Sequence, residues 1–286
     1  AWELASGLDP NRVTLFVQSQ VPAHTELAWI FNAFVTVPEL SRKTQYKDLV
    51  AQGLEQPSAA LLAYPVLQAA DVLLYKADSV PVGQDQVQHL ELTRTIARRF
   101  NRTTQTEIFP EPKPRLTESA YILSLHDPER KMSKSLPQGA LLLEDDERTL
   151  RAKISRAVTD TGLEERSSPE TVINQERFTP DERALVFEHM SPGVRNLFIL
   201  LQETSWDEML VDTLLHNYRN KTLAYRDLKA AVTDAIIVFI LPLQERFREI
   251  RAKEDELRAV LADGTDKAKR VADATLSEAK EAFKLA

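Results

Sequence analysis

The sequence predicts an α/β protein in which a parallel-sheet domain is followed by an all-α domain. Three observations carry this expectation. A short β-branched and aromatic run, Val13 to Val17, precedes a helical apolar stripe over His24 to Val35, which is the strand-then-helix unit of a parallel sheet. A second junction of this kind, from Val80 through Gly83 to Arg94, takes an apolar strand into a helix rich in polar side chains. From Asp181 onward the pattern is helical nearly throughout.

Composition narrows the class. With 286 residues, 43% hydrophobic and 28% charged, the chain can bury a sizeable core and form two units. The absence of cysteine removes a disulfide framework, a Cys-ligated zinc and a thiol nucleophile, and fits a cytoplasmic, reducing setting. A net charge of -7 argues against loose, sequence-independent nucleic-acid binding, though not against a local basic face. The apolar run from Ala230 to Leu241 is interrupted by Thr233 and Asp234 and is too short to span a bilayer, and no signal-peptide pattern opens the chain. Seven glycines form neither a dinucleotide fingerprint nor a P-loop, so any phosphate site is built another way.

Taken in order, Ala1 to Ser6 reads as the end of a helix stopped by Gly7 and Pro10, as if the sequence began inside a domain. Val13 to Val17 has the pattern of a strand buried on both faces. Ser19 to Pro22 turns the chain, and Leu27, Ile30, Phe31 and Phe34 form the apolar stripe of the next helix. Glu39 to Lys47 carries Arg42, Lys43 and Lys47, and reads either as a solvated helix start or as a ligand-facing loop. Residues 49 to 58 look like a loop, and an apolar helix follows from Ala59, broken at Pro65.

Within the apolar stretch Ala63 to Tyr75, Asp71 is conspicuous, because an ionised carboxylate there is costly unless something donates to it. Two readings are open: a helix-end Asp satisfied by backbone N–H groups, or an acceptor waiting for a ligand N–H. Asp85 and Gln86 fall at the strand-to-helix junction, where open α/β sheets bind ligands, although Asp85 would also serve as a helix cap. His89 reads as a structural hydrogen-bonder. Arg94, Arg98, Arg99 and Arg102 recur at helical spacing and read as a solvated face rather than a nucleic-acid contact.

The most informative stretch is Arg130 to Ser135. Two lysines three apart, Lys131 and Lys134, separated by Met132 and Ser133 and bounded by Pro128 and Pro137, describe a surface loop that can bring two ammonium groups to one phosphate chain. Beyond it come a short apolar run and charged helix over Leu141 to Thr159, then a polar loop with Pro169 and Pro180 over Glu164 to Arg183. Helices are expected over 181–190, 192–204, 206–217, 222–250 and 254–284, with Pro242 kinking or ending the fourth and a stop signal at Asp263-Gly264.

Lys131 to Ser135 reads Lys-Met-Ser-Lys-Ser, the signature loop of the class I aminoacyl-tRNA synthetases. With Tyr64-Pro-Val-Leu-Gln-Ala-Ala-Asp71, Val82-Gly-Gln-Asp-Gln-Val-Gln-His-Leu-Glu91 and Gly264 to Ala272, the chain resembles the bacterial tryptophanyl-tRNA synthetases over nearly its whole length. The resemblance implies a Rossmann-like nucleotide-binding domain over residues 1–140, a helical tRNA anticodon-binding domain over 141–250, and C-terminal helices over 251–286 that pack back on the first domain. It implies activation of tryptophan by ATP with Mg²⁺, transfer to tRNA(Trp), and a homodimer for which the helix over 24–35 is a candidate surface. Arg246, Arg248, Arg251 and Lys253 would offer a basic face to the anticodon.

By the same resemblance Asp71 accepts the indole N–H, Tyr64 and Gln86 hold the α-amino group, and Gln68 lies against the indole where relatives often carry methionine. Asp85 touches or adjoins the ATP ribose, Gly83 and Lys47 belong to the ATP site, and Lys131, Met132, Ser133, Lys134 and Ser135 form the phosphate loop. Lys131 and Lys134, with Ser133, are the expected catalytic residues. Two departures stand out. The family's leading strand and its His-x-Gly-His-like loop, about 60 residues by the size of such units, lie upstream of the matched region, and Leu49 stands where a second loop lysine is common. Two alternatives follow: a tyrosine-specific relative, since an Asp acceptor also serves a phenol, or a truncated synthetase acting as a binding module.

Overall fold

The computed structural model describes residues 1–43, 46–47, 51, 53, 56–116, 122–159 and 177–285. Leu49 and most of the polar stretch from Glu164 lie outside the described residues. In chain order the elements are α1 (Trp2–Ala5), α2 (Ala23–Phe31), α3 (Val37–Ser41), α4 (Ala59–Leu73), β1 (Ser79–Val82), α5 (Val87–Thr104) and β2 (Lys113–Leu116). There follow α6 (Glu147–Ser155), α7 (Pro180–Glu188), α8 (Pro192–Thr204), α9 (Glu208–Arg219), α10 (Tyr225–Ala252) and α11 (Glu254–Ala282).

The chain divides into two compact units, Leu8–Glu118 with Lys253–Ala286, and Ala1–Gly7 with Ser119–Ala252. In this division the described residues 122–140, the lysine loop among them, belong with the helices. The reason is local packing: Leu125 belongs to the helical core and Met132 packs against it. Ala1–Gly7 joins the same unit, where Trp2 stacks on Phe247 of α10 with ring centroids 4.0 Å apart.

The first unit is the α/β one. β1 and β2 pair in parallel, Ser79 opposite Lys113 and Val82 opposite Leu116, with α5 as the crossover between them. Its core is built by α2, α4, α5 and α11, with Phe31, Phe100 and Phe109 meeting edge to face. A buried Ala268, Ala272, Leu276 and Ala279 stripe seats α11 on that core.

Three expectations are corrected here. Val13–Val17 pairs with no strand among the described residues, and Val13 and Val17 are each 37% exposed rather than buried on both faces. A strand is defined by its neighbour, and this segment's backbone instead runs against α11. There, α11 continues unbroken through Asp263-Gly264, because Gly264 is needed for close approach and not as a stop: a Cβ on it would lie 1.8 Å from the Leu15 carbonyl oxygen. Nor does Pro65 break α4. It removes one intrahelical N–H, a cost of about 3 kcal/mol, while Val66, Ala69, Ala70 and Leu73 are fully buried and the Ser58 side chain caps the N-terminus by accepting from Leu61 N–H. In α10, which fills the span expected over 222–250, Pro242 lies in the interior and the helix runs on to Ala252, its buried face, Leu228 to Ile240, lying before the proline.

In the second unit α8 packs on α10 and α9, and α6 on α10, around Leu150, Ile154, Leu197, Phe198, Leu201, Leu215 and Val232, all fully buried. Arg183 of α7 is held by Asp212 of α9, Nη2 to Oδ1 2.9 Å, with both side chains buried.

Candidate functional site

Tyr64, Gln68 and Asp71 all lie on α4. Their spacing of four and then three residues puts them on one helix face, and each is half-buried. Asp71 is satisfied by a side chain distant in sequence: Gln18 donates from Nε2 to Oδ1 at 2.7 Å. Of the two readings open for Asp71, the one of a helix-end residue with backbone donors gives way to a side-chain network. Burial pushes its carboxyl pKa up, and the Gln18 hydrogen bond and the nearby His24 work against that.

His24 is buried, and its Nδ1 lies 2.9 Å from the Val21 carbonyl oxygen, which can only accept. Nδ1 therefore carries the hydrogen, and in the neutral ring Nε2 accepts from the Tyr75 hydroxyl at 3.0 Å. The same Nε2 lies 4.0 Å from Asp71 Oδ1. The Tyr75 phenol is pushed up to about 12, first by burial and then by the Asp71 and Asp273 charges. Gln18, His24 and Tyr75 thus join Asp71 in one network that sequence spacing could not reveal, since Gln18 and Asp71 are 53 positions apart.

Tyr64 reaches the next helix. Its hydroxyl lies 3.1 Å from Nε2 of buried His89 on α5, so His89 is the structural hydrogen-bonder expected. Burial, and then the Lys43 cation, lower the His89 pKa, while burial raises that of Tyr64. Lys43 in turn donates from Nζ to the Gln88 carbonyl oxygen at 3.1 Å.

At the β1 end, Gly83 leads into a 3-10 turn over Gln84–Gln86 and then α5. Asp85 is exposed, the N-cap of α5 is Gln86, without a side-chain cap bond of its own, and Gln86 Nε2 donates to Asp85 Oδ2 at 3.0 Å. Lys47 is exposed, its N–H bonded to the Lys43 carbonyl oxygen. The arginine face is only partly solvated. Arg94 and Arg98 both approach Glu111, and Arg99 donates twice to Glu39, at 2.6 and 3.0 Å.

The lysine loop, in the other unit, begins and ends in defined backbone contacts. Leu123 and Lys131 form an antiparallel bridge, flanked by Ser124 N–H to Arg130 O at 2.8 Å and Met132 N–H to Ile122 O at 3.1 Å. Met132 turns into the helical core and its Sδ accepts from Leu141 N–H at 3.4 Å. With that anchor in place Ser133, Lys134 and Ser135 are exposed in a tight turn, Leu136 N–H to Ser133 O, and Lys131 is exposed beside it. The loop therefore presents two lysines to solvent from a fixed base, an arrangement suited to a polyanion.

Comparison with known proteins assigns the fold to a family. A family model described as tRNA synthetases class I (W and Y) matches residues 1–240. The tryptophan–tRNA ligase of Clostridium tetani is 41% identical over 280 residues, covering 97% of this chain and 75% of that protein. Among solved structures, the tryptophanyl-tRNA synthetase of Mycoplasma pneumoniae superposes with a TM-score of 0.79 at 30% identity, covering 100% of this chain and 80% of that one. The Campylobacter jejuni enzyme, complexed with ADP and tryptophan, gives 0.74 at 30% identity over 99% of this chain and 80% of its own. By these matches the chain belongs to the class I tRNA synthetases of the W and Y group and is an aminoacyl-tRNA synthetase.

Proposed function

We propose that this synthetase is a tryptophan–tRNA ligase, activating tryptophan with ATP and passing it to tRNA(Trp). The observation that carries the reading is the Lys131 to Ser135 loop, held by Met132 so that its lysines stand in solvent. The similarity to curated tryptophan ligases across 97% of the chain supports the choice of amino acid.

In the first half-reaction the carboxylate of tryptophan attacks the α-phosphate of ATP, forming tryptophanyl-adenylate and releasing pyrophosphate. The nucleophile is already ionised, so no general base is needed, and catalysis lies in alignment and charge stabilisation. Lys131 and Lys134, with Ser133, attend the β- and γ-phosphates of the magnesium complex of ATP, while Met132 and Ser135 complete the loop. Gly83, Asp85 and Lys47 serve the nucleotide. Asp71 accepts the indole N–H, Gln68 lies against the ring, and Tyr64 and Gln86 hold the ammonium group. In the second half-reaction the terminal ribose hydroxyl of tRNA(Trp) attacks the adenylate carbonyl and AMP leaves. The helical domain over 141–250 is the one proposed for the anticodon, with Arg246, Arg248 and Arg251 as its basic face.

A homodimer through α2 and α3 belongs to this reading, supported by Trp29 at 79% and Val37 at 65% exposure. No helix among the described residues is long and apolar enough to cross a membrane, and a cytoplasmic site of action completes the proposal. Charging of a tRNA(Trp) transcript with labelled tryptophan tests it: ATP-dependent, acid-precipitable label on tRNA(Trp) and not on tRNA(Tyr) is expected. Label on tRNA(Tyr) supplied with tyrosine would reassign the enzyme.

A further inference from the structure

Asn196, in the second turn of α8, is 2% exposed, and both ends of its amide are spent on one residue of the lysine loop's base. Its Oδ1 accepts from Leu123 N–H at 2.8 Å, and its Nδ2 donates to Leu123 C=O at 2.9 Å. On its other edge Leu123 bridges Lys131. The Asn196 side chain thus acts as a neighbouring strand would, pinning the residue opposite the first loop lysine. A one-residue slip of that pairing would turn Lys131 to the opposite face.

The helix is itself fixed close to the same backbone. A Cβ on Gly193 would lie 2.1 Å from the Val158 carbonyl oxygen, Ser191 Oγ donates to Thr159 O at 2.8 Å, and Val158 N–H donates to Leu125 O at 2.8 Å. Ser191 at the N-cap and Gly193 in the first turn therefore seat α8 against the 158–159 backbone, while Asn196 in the second turn holds Leu123. We infer that Asn196 is a positioning residue for the activation reaction, setting the register of the lysine loop through Leu123. The inference rests on the reading that Lys131 and Lys134 serve the phosphates of ATP.

Two variants test it in ATP–pyrophosphate exchange, with the competent fraction counted by active-site titration. Asn196→Ala removes both hydrogen bonds. Asn196→Asp keeps an acceptor for Leu123 N–H but sets a carboxylate against the Leu123 carbonyl. Each is expected to lower kcat/KM for ATP at least 10-fold per competent site, while tryptophan affinity by equilibrium dialysis stays within about twofold. In a Lys134→Ala background Asn196→Asp should cost less than about twofold further, because both act through one loop.

Equal losses toward ATP and tryptophan, or additive losses in the cycle, would overturn the inference and leave Asn196 a core residue only. An unchanged exchange rate for Lys134→Ala alone would instead sink the reading of the loop. If neither Asn196 variant folds, amide exchange of the wild-type protein decides: the Leu123 amide should exchange as slowly as the α8 interior, and exchange as fast as the Lys134 amide would overturn the proposal.

Discussion

Gln18 donates to one oxygen of Asp71, Oδ1, at 2.7 Å, and thereby fixes which part of the carboxylate is spent inside the protein. In the proposed function the other oxygen meets the indole N–H. On that reading Asp71 is an oriented acceptor and not simply a buried charge. Asp71→Asn is expected to lower kcat/KM for tryptophan by about 100-fold, on the order of 2–3 kcal/mol, since an amide can offer a donor where the indole N–H must be met. Gln18→Leu should cost less, about 10-fold. Benzothienylalanine, which lacks the ring N–H, should be almost indifferent to Asp71→Asn. Steady-state exchange kinetics with both amino acids check this, and an equal loss for both would contradict the role.

The pH dependence of tryptophan binding follows from the same carboxyl. Burial raises the Asp71 pKa above its ordinary 3.8. A raised carboxyl pKa means that the acceptor is lost sooner on acidification, so affinity should fall as pH drops through that raised value, above the range of a solvent-exposed aspartate. Equilibrium dialysis from neutral to acid pH measures it, and the acid limb should vanish in Asp71→Asn.

Glu39 and Arg99 give a separate, structural prediction. The Arg99 hydrogen bonds hold the Glu39 pKa down, from 4.5 to about 2, with the Thr36 contacts adding to the effect against burial. A depressed carboxyl pKa contributes stability that is present above 4.5 and is lost as pH falls toward 2. The pair is about a third exposed, so solvent screening reduces its worth to about 1 kcal/mol. Glu39→Gln keeps the capping geometry with Thr36 but not the charge. It should unfold at lower urea than wild type at pH 7, and the difference should close between pH 4.5 and 2.

At Gly264 the sign of the effect is the test. A Gly→Ala change inside a helix ordinarily stabilises by about 1 kcal/mol. Here the added Cβ would meet the Leu15 carbonyl oxygen at 1.8 Å, so Gly264→Ala should destabilise by about 1–3 kcal/mol instead. Urea denaturation of the variant decides it, and a gain in stability would mean that the Leu15 backbone is not seated on α11.

These cases also mark how far the residues alone could lead. The helical half was legible where a helix carries its own apolar stripe: expected spans such as 192–204 match α8 residue for residue. The β1-to-α5 junction was legible for the same local reason, an apolar run ending at Gly83. What failed was judged from local propensity where distant packing decides. Pro65 lies inside a helix whose burial outweighs a lost N–H, and Gly264, which reads as a stop, lies against the Leu15 backbone. Lys131 to Ser135 stood out as a motif, but its holders, Leu123 and Asn196, lie 73 positions apart and carry no motif of their own. Asp71 could be singled out by its apolar surroundings, whereas its partner Gln18 could not.

ATP–pyrophosphate exchange on the purified protein tests the central claim most directly, with tryptophan and tyrosine supplied separately and Lys134→Ala alongside. Exchange driven by tryptophan alone, and reduced at least 100-fold by Lys134→Ala, is the predicted result. Exchange driven by tyrosine, or exchange that Lys134→Ala leaves unchanged, would contradict the account.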